Sequence, residues 1–555
     1  MPAAARSFLG HAKIIGALTF VSRLLGLARE IVFAHYFGTG LVATAFNVAF
    51  SIPNLFRKLF GEGALSAAFI PLYAQSVKSE SRQNANEFAA AGVNLLCTIL
   101  LAITIVGEVI LFAILLIDQD MRLERELLLK FTMIMLPYVL LICGAAFLSG
   151  ILQVHQRFAA PAAAPILLNV CHIAIVFLGA TFLGLRAVAH DGTQDIALQT
   201  TLAYWLASTV LIAGVLQVII LMPGLRAVGF RFKFVPHFWT PAVKRMLKLT
   251  IPVAIGAGVL QLSVFLDKGI SLLLMRGVDA ITGEAITHFH FLGQLIRLPL
   301  ELGAPVRLSA AQLMYQFPLG IFAIALATAI FPALSSEANG DDPKGFARVL
   351  RQGIEASLWE GFPASVGLVL VAQPAVRLLF QHGEITAHDT VLIARSLQFY
   401  AIAIWAFSLQ QILSRAYYAL HDTKTPLVMS IVTLAVNLLV EVPLLWTPLG
   451  EAGMAAGTAV SFTLQAIVML WMLNRRTGGL ELSQSVRPVM KMLLATAIMT
   501  IACLGVMRLP FYPTGDTRAS AAVQLVVITS VGAGVYLGAC ALLGVDMLKT
   551  LRRQK

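Results

Sequence analysis

The chain has 555 residues, 58% of them hydrophobic and 12% charged, with a net charge of +12. Soluble domains run near 45–50% apolar and about 25% charged, so this composition excludes an ordinary soluble enzyme, and its hydrophobicity excludes a disordered chain. The basic excess, which in a soluble protein would indicate nucleic acid, belongs here to loops on the cytoplasmic side of a membrane, and no nucleic-acid partner is expected.

Apolar runs follow one another near residues 10–34, 41–73, 86–117, 127–153, 160–185, 198–222, 247–275, 311–337, 350–374, 388–419, 426–446, 450–474, 487–508 and 520–545. A membrane-spanning helix needs about 20 apolar residues. These are therefore fourteen predicted spans of an all-α polytopic membrane protein. Each run is apolar on all faces, which excludes the alternating strands of a membrane barrel. The first run carries Arg23 and Arg29 and lacks a small-residue cleavage site, so it reads as a retained span rather than a signal peptide. Lys and Arg fall predominantly in the N-tail, the C-tail and every second loop, which predicts that both termini are cytoplasmic. The five cysteines lie scattered inside apolar runs, which argues against a disulfide framework or a zinc site.

An internal repeat is legible. Pro71 and Pro332 close the second and eighth spans, Ile151 and Ile412 end the fourth and tenth, and Pro165 and Pro426 open the fifth and eleventh, all at one offset of 261 residues. Six spans separate the partners, an even number, so two six-helix lobes form parallel repeats, an arrangement found in transporters that bind substrate between lobes. The expected organisation is an N-terminal lobe over 1–225, a C-terminal lobe over 226–475, and two extra helices over 476–555.

Charge inside a span costs at least about 2.5 kcal/mol per residue on insertion scales, so intramembrane charge points to function. The first span carries Ser22, Arg23, Arg29 and Glu30. In the second, Asn47, Ser51, Asn54 and Lys58 share one helical face, with Arg57 beside it. Such a stripe suits a water-filled cavity; for Lys58 and Glu62, snorkelling at a membrane end is an equal alternative. Guanidinium groups donate bidentate hydrogen bonds to phosphate oxygens, so Arg23, Arg29 and Arg57 suit a diphosphate headgroup. In the second half, Asn437 and Glu441 stand one turn apart, and with Asp267 they offer the oxygens a hard cation prefers. The alternative is ion pairing without a metal, although Asp267 and its neighbour Lys268 point apart on a helix. His288 and His290 would suit a metal only on a strand; the segment 276–310 reads instead as amphipathic and lying on the outer face. No Walker A, GxSxG or HExxH motif is present, so neither ATP hydrolysis nor these catalytic chemistries is expected.

The run SRLLGLAREIVFAHYFGTG…AFNVAFSIPNLFRKLFGEGALSAAFIPLYAQ over 22–75, and YQFPLGIFAIALATAIFPALS over 315–335, resemble the MurJ (MviN) lipid II flippase family of bacterial peptidoglycan synthesis. The resemblance covers nearly the whole chain. It implies the MOP (MATE-like) exporter fold in the bacterial inner membrane, with a cationic cavity and a groove for the lipid tail formed by the last two spans. It further implies a non-enzymatic transporter that acts in cell-wall biogenesis and cell shape. The substrate would be lipid II, an undecaprenyl-diphosphate-linked precursor, moved to the outer leaflet by alternating access. By this resemblance Arg23, Arg29, Arg57 and Asn54 line the cavity, with Ser22 and Glu30 beside them. Sodium, the one cofactor implied, would be held by Asp267, Asn437, Glu441 and Thr458, with a glutamate where an aspartate is usual. Two positions depart from the family pattern. Gln312 and Leu313 replace an Asp-Arg pair that opens the eighth span, and Thr44 replaces an aspartate; Arg307 or Lys268 is then the candidate for the missing charge. A monomer that works among membrane lipids, alongside cell-wall enzymes, is expected. The alternatives are an exporter of another lipid-linked glycan on the same fold and a non-transporting cell-wall scaffold.

Overall fold

The computed structural model describes residues 3–59, 65–79, 82–118, 121–185, 195–232, 239–279, 284–291, 293–338, 340 and 343–545. In chain order the helices are α1 (Ala3–Phe37), α2 (Leu41–Phe56), α3 (Leu65–Ser79), α4 (Arg82–Ile117), α5 (Leu123–Met135), α6 (Tyr138–Val154), α7 (Ala159–Leu183), α8 (Ile196–Ala227) and α9 (Pro241–Leu274). Four short strands follow, β1 (Gly277–Val278), β2 (Ala285–Ile286), β3 (His288–Phe291) and β4 (Gln294–Arg297). The chain then continues through α10 (Ala304–Ile321), α11 (Ala323–Ala338), α12 (Pro343–Phe380), α13 (Ala387–Ile402), α14 (Ile404–Ala419), α15 (Lys424–Leu444), α16 (Ala452–Arg476), α17 (Ser483–Met507) and α18 (Arg518–Leu542).

Every predicted span coincides with a helix or a pair of helices. Among the described residues, nine helical stretches are long and apolar enough to cross a membrane, and eleven once each of two bent pairs counts as one span. The remaining three spans, over α1, α2–α3 and α9, are those with the intramembrane arginines and lysines singled out above. Large apolar side chains on α4, such as Ile105, Val106, Val109 and Ile110, are exposed, as expected of a surface that meets lipid.

The chain forms two compact units, 1–306 and 307–555. In the first, α2, α3, α5, α6 and α8 share one apolar core that includes Val42, Phe46, Phe69, Phe131, Tyr138, Phe147 and Leu206. Phe69 and Phe147 pack with ring centroids 4.0 Å apart. The fourth span is bent by 43° between α5 and α6. Pro137 stands at that break, where its missing N–H interrupts the hydrogen-bond ladder.

The segment after α9 is not the amphipathic stretch expected. β1 pairs with β2 and β3 with β4, both antiparallel, with His288 opposite Arg297 and His290 opposite Leu295. Histidine and phenylalanine alternate along His288–Phe291, the period of a strand, and Gly293 at φ +78° closes the turn. Arg122 secures this region by donating to the Met275 carbonyl at 2.6 Å, and Glu124 accepts from the Val278 amide. His288 and His290 do stand on one face of a strand, but no group of three or more His, Cys, Asp or Glu side chains suited to a metal occurs among the described residues.

In the second unit, α11, α12, α14 and α16 enclose Leu334, Leu350, Ile412, Leu413 and Met469, while α17 and α18 pack on α12 around Val371, Met499, Ile528 and Tyr536. The tenth span is bent by 44° between α13 and α14. No proline lies at this break. Trp405, whose N–H falls in the first turn of α14, donates it to Ser365 Oγ of α12 at 3.1 Å.

Candidate functional site

α1 runs through its charged segment into Gly38, whose φ of +60° allows the chain to turn directly into α2. Arg29 donates to the Glu30 carboxylate and lies over the Phe50 ring, 5.4 Å from its centroid. His172 of α7 is buried on the same ring, 5.3 Å from its centroid. On α2, Asn47, Ser51 and Asn54 are partly exposed, whereas Ala45, Val48, Ala49 and Pro53 are buried. The Asn54 amide donates to the Phe50 carbonyl at 3.1 Å, and Ser51 Oγ donates to the Val48 carbonyl. Past Phe56 the helix widens into a π-type turn over Arg57, Lys58 and Leu59. Such turns alter the direction of side chains and recur at functional sites.

α9 adds a cation to this group. Lys268 Nζ donates to Asn47 Oδ1 at 2.8 Å, and Lys268 lies within electrostatic reach of Glu30, Lys58 and Arg29. Arg57 and Arg29 both act on the Tyr138 hydroxyl of α6. Arg29, Arg57, Lys58 and Lys268 thus gather about α1, α2 and α9 with Glu30 as a carboxylate among them. Cations held together away from bulk water repel one another, so the arrangement favours an anion with several negative oxygens. Ser22 contributes its carbonyl, which accepts from Asn169 Nδ2 at 3.1 Å, and Arg23 is exposed on α1. Thr44 is buried and donates to the Gly40 carbonyl, so it packs α2 rather than presenting a polar group. Glu62 lies outside the described residues.

Arg307 does not supply the missing charge of the eighth span. Its side chain is 2% exposed and engaged by two carboxylates, Glu451 at 2.8 Å and Asp389 at 3.2 Å. Asp389 also completes a capping box with Thr386 at the start of α13, so three elements of the second unit meet on one guanidinium. Gln312 donates to the Tyr400 hydroxyl at 3.2 Å, beside Tyr315 stacked on Tyr400. Leu313 is partly exposed. Lys268, already bonded to Asn47, is the extra cation that the cluster has.

In the same unit Asn437 and Glu441 are buried on α15, and the Asn437 amide donates to Glu441 Oε2 at 3.0 Å. Thr458 is buried on α16 and donates to the Met454 carbonyl. Gly453 and Gly457, one turn apart, let α16 approach α15: a methyl on Gly457 would come 2.7 Å from Glu441 Cβ, and one on Gly453 2.8 Å from Leu444 Cβ. The donor chemistry of Asn437, Glu441 and Thr458, all oxygen, fits a hard monovalent cation. Asp267 is buried on α9 in the first unit.

Sequence reasoning did not find His172, Asn169 or Tyr138 near the arginines; a polar residue within an apolar run is the signal each offered. Nor did it find the Arg307 contacts, because the partners lie 82 and 144 residues away.

Comparison with known proteins adds relatives. The sequence profile described as lipid II flippase MurJ matches residues 33–516. A protein of Bdellovibrio bacteriovorus named probable lipid II flippase MurJ is 30% identical, with 99% of this chain and 97% of that protein covered. One of the same name from Rhizobium tropici is 32% identical over 85% of this chain and 84% of its own length. Among solved structures, lipid II flippase MurJ in an inward closed conformation is similar with a TM-score of 0.74 at 22% identity, over 96% of this chain and 99% of that one. An inward-facing multidrug MATE transporter of the MOP superfamily is similar with a TM-score of 0.61 at 13% identity, over 85% of this chain and 99% of that one.

Proposed function

The chain belongs to the lipid II flippase MurJ family, and from that premise we propose that the cationic cluster on α1, α2 and α9 is where the diphosphate of lipid II is held. The protein is a multi-pass bacterial membrane transporter that moves lipid II from the inner to the outer leaflet by alternating access. The observation that carries the site is the bond from Lys268 to Asn47, which adds a lysine from α9 to the arginines of α1 and α2.

In this reading Arg29 and Arg57 bind diphosphate oxygens through paired N–H groups, and Lys58 and Lys268 act as point charges. Glu30 holds Arg29 oriented until the anion competes for it. Asn54 and Ser22 supply neutral polar groups, and exposed Arg23 provides a first electrostatic contact. With both termini cytoplasmic in the inner membrane, the potential opposes return of an anionic headgroup by about 2.3 kcal/mol per charge per 100 mV. Asn437, Glu441 and Thr458 are the residues that would hold sodium, which would supply a positive charge to offset the buried Glu441 carboxylate. The protein acts as a monomer in this reading.

Rescue of a bacterium depleted of its own lipid II flippase tests the proposal. Wild type should restore growth, and Arg29→Ala and Lys268→Ala should not, with equal membrane insertion of all three. Rescue by both variants would exclude the cluster as the diphosphate site.

A further inference from the structure

Two membrane-embedded glutamates stand outside the cationic cluster, one in each unit. Glu108 lies on α4, in the third span, and Glu360 on α12, in the ninth. One carboxylate oxygen of each, Oε1, is buried with no hydrogen-bond partner, and neither glutamate forms an ion pair among the described residues. Each is next to a glycine that packs on the break of the following span. A methyl on Gly107 would come 2.7 Å from Leu136 Cδ2, beside Pro137 at the bend between α5 and α6. A methyl on Gly361 would come 2.7 Å from Trp405 Cα, at the bend between α13 and α14. The two bends are 43° and 44°.

Among the described residues neither carboxyl meets a counter-charge. On the elements packed against α4, Tyr73 is bonded to His155, Lys130 to Glu126, Tyr138 to Gln217, Cys143 to the Phe56 carbonyl and Lys268 to Asn47. On those against α12, Tyr400 accepts from Gln312, Arg415 lies over Phe331, Cys503 is bonded to the Ile528 carbonyl and Tyr536 to the Trp359 carbonyl; Glu337 stands near the far end of α11. An ionised carboxylate so placed has lost water and gained nothing in return, whereas a protonated carboxyl is neutral and can donate. On α4 the Thr104 hydroxyl, one turn before Glu108, is also buried without a partner and stands on the same face.

We propose that Glu108 and Glu360 are a pair of proton-binding sites, one in each unit, each of which holds a proton taken from solvent against the bend of the neighbouring span. Loss of the proton creates a buried charge beside an interrupted helix ladder. Water or freed backbone groups must then reach it, and the bend opens. The two sites bias the fourth and tenth spans alike and serve as the pH-sensitive elements of the conformational cycle.

The full-length protein in lipid nanodiscs is treated with dicyclohexylcarbodiimide, which adds to protonated carboxyls in apolar surroundings, and the adducts are located by peptide mass spectrometry. Adducts are expected at both Glu108 and Glu360 at neutral pH, should decline as pH rises, and should fall to background at the substituted site in Glu108→Gln and Glu360→Gln. Amide exchange over 136–140 and 403–407, corrected for intrinsic rates, should vary with pH in the wild type and not in the double Gln variant, which keeps shape and neutrality. Failure to label either glutamate, labelling of one only, or pH-dependent exchange that persists in the double variant would overturn the proposal.

Discussion

Arg307 and Glu451, 144 residues apart in sequence, meet through the guanidinium Nε, which donates to both carboxylate oxygens at 3.0 and 2.9 Å. Asp389 binds the same guanidinium, so α10, the start of α13 and the start of α16 are tied at one buried point. Removing one partner of a buried pair leaves the other charge uncompensated, at about 3–5 kcal/mol. Arg307→Ala should therefore lower the thermal unfolding temperature of the purified protein substantially. An unchanged temperature would show that water enters and screens the two carboxylates.

Lys268 should matter more than its neighbour Asn47. Loss of a charged hydrogen bond costs about 1.5–3 kcal/mol, roughly ten- to a hundredfold in affinity. Lys268→Met should weaken lipid II binding by about that factor, whereas Asn47→Ala, which releases the ammonium but keeps it, should have a smaller effect. Titration of fluorescent lipid II against each variant in detergent measures the order.

Close packing of α15 on α16 should tolerate no side chain at Gly457. A methyl there would lie 2.7 Å from Glu441 Cβ and 3.0 Å from its Cα. Gly457→Ala should destabilise by about 1–3 kcal/mol, the usual range for overpacking. If the same residues bind sodium, exchanging potassium for sodium at constant ionic strength should raise the unfolding temperature of wild type and leave Glu441→Gln unaffected. Equal responses would remove sodium from the mechanism.

Acid stability should depend on Asp422, in the loop between α14 and α15. Burial pushes its carboxyl up, but hydrogen bonds from the Thr425 side chain and backbone, with Arg476, outweigh that and hold it below its ordinary value. A carboxyl depressed on folding contributes stability above its unfolded pKa and loses that contribution as pH falls through the folded value. The unfolding temperature should thus drop as the medium is acidified below about pH 4. Asp422→Asn should start lower and lose less over that interval.

Long apolar runs made the fourteen spans readable, since only helices and closed barrels satisfy the backbone in lipid and barrel strands alternate. Pro71 and Pro332 marked the repeat because proline is strong local punctuation. The hairpins over 277–297 were obscured because short strands carry little periodic signal, and an alternation of four or five residues competes poorly with a general apolar trend. Arg29, Arg57 and Asn54 stood out by chemistry alone, as charge and amide groups in apolar surroundings. Arg307 was one of two candidates for the missing charge, and the sequence could not exclude it, because Glu451 and Asp389 are distant along the chain and only the fold brings them to it. Glu108 shows in the sequence as a lone carboxylate; its relation to the Pro137 bend does not.

The two bent spans differ in what bends them. Pro137 interrupts the fourth, while the tenth has no proline and instead passes the Trp405 amide to Ser365 of a neighbouring helix. The fourth and tenth spans thus reach nearly equal bends through unlike chemistry. The bend is a property of how each span is supported, not of one residue type. A straightened fourth span would then be sought not by replacing Pro137 alone but by altering the helix against which it leans.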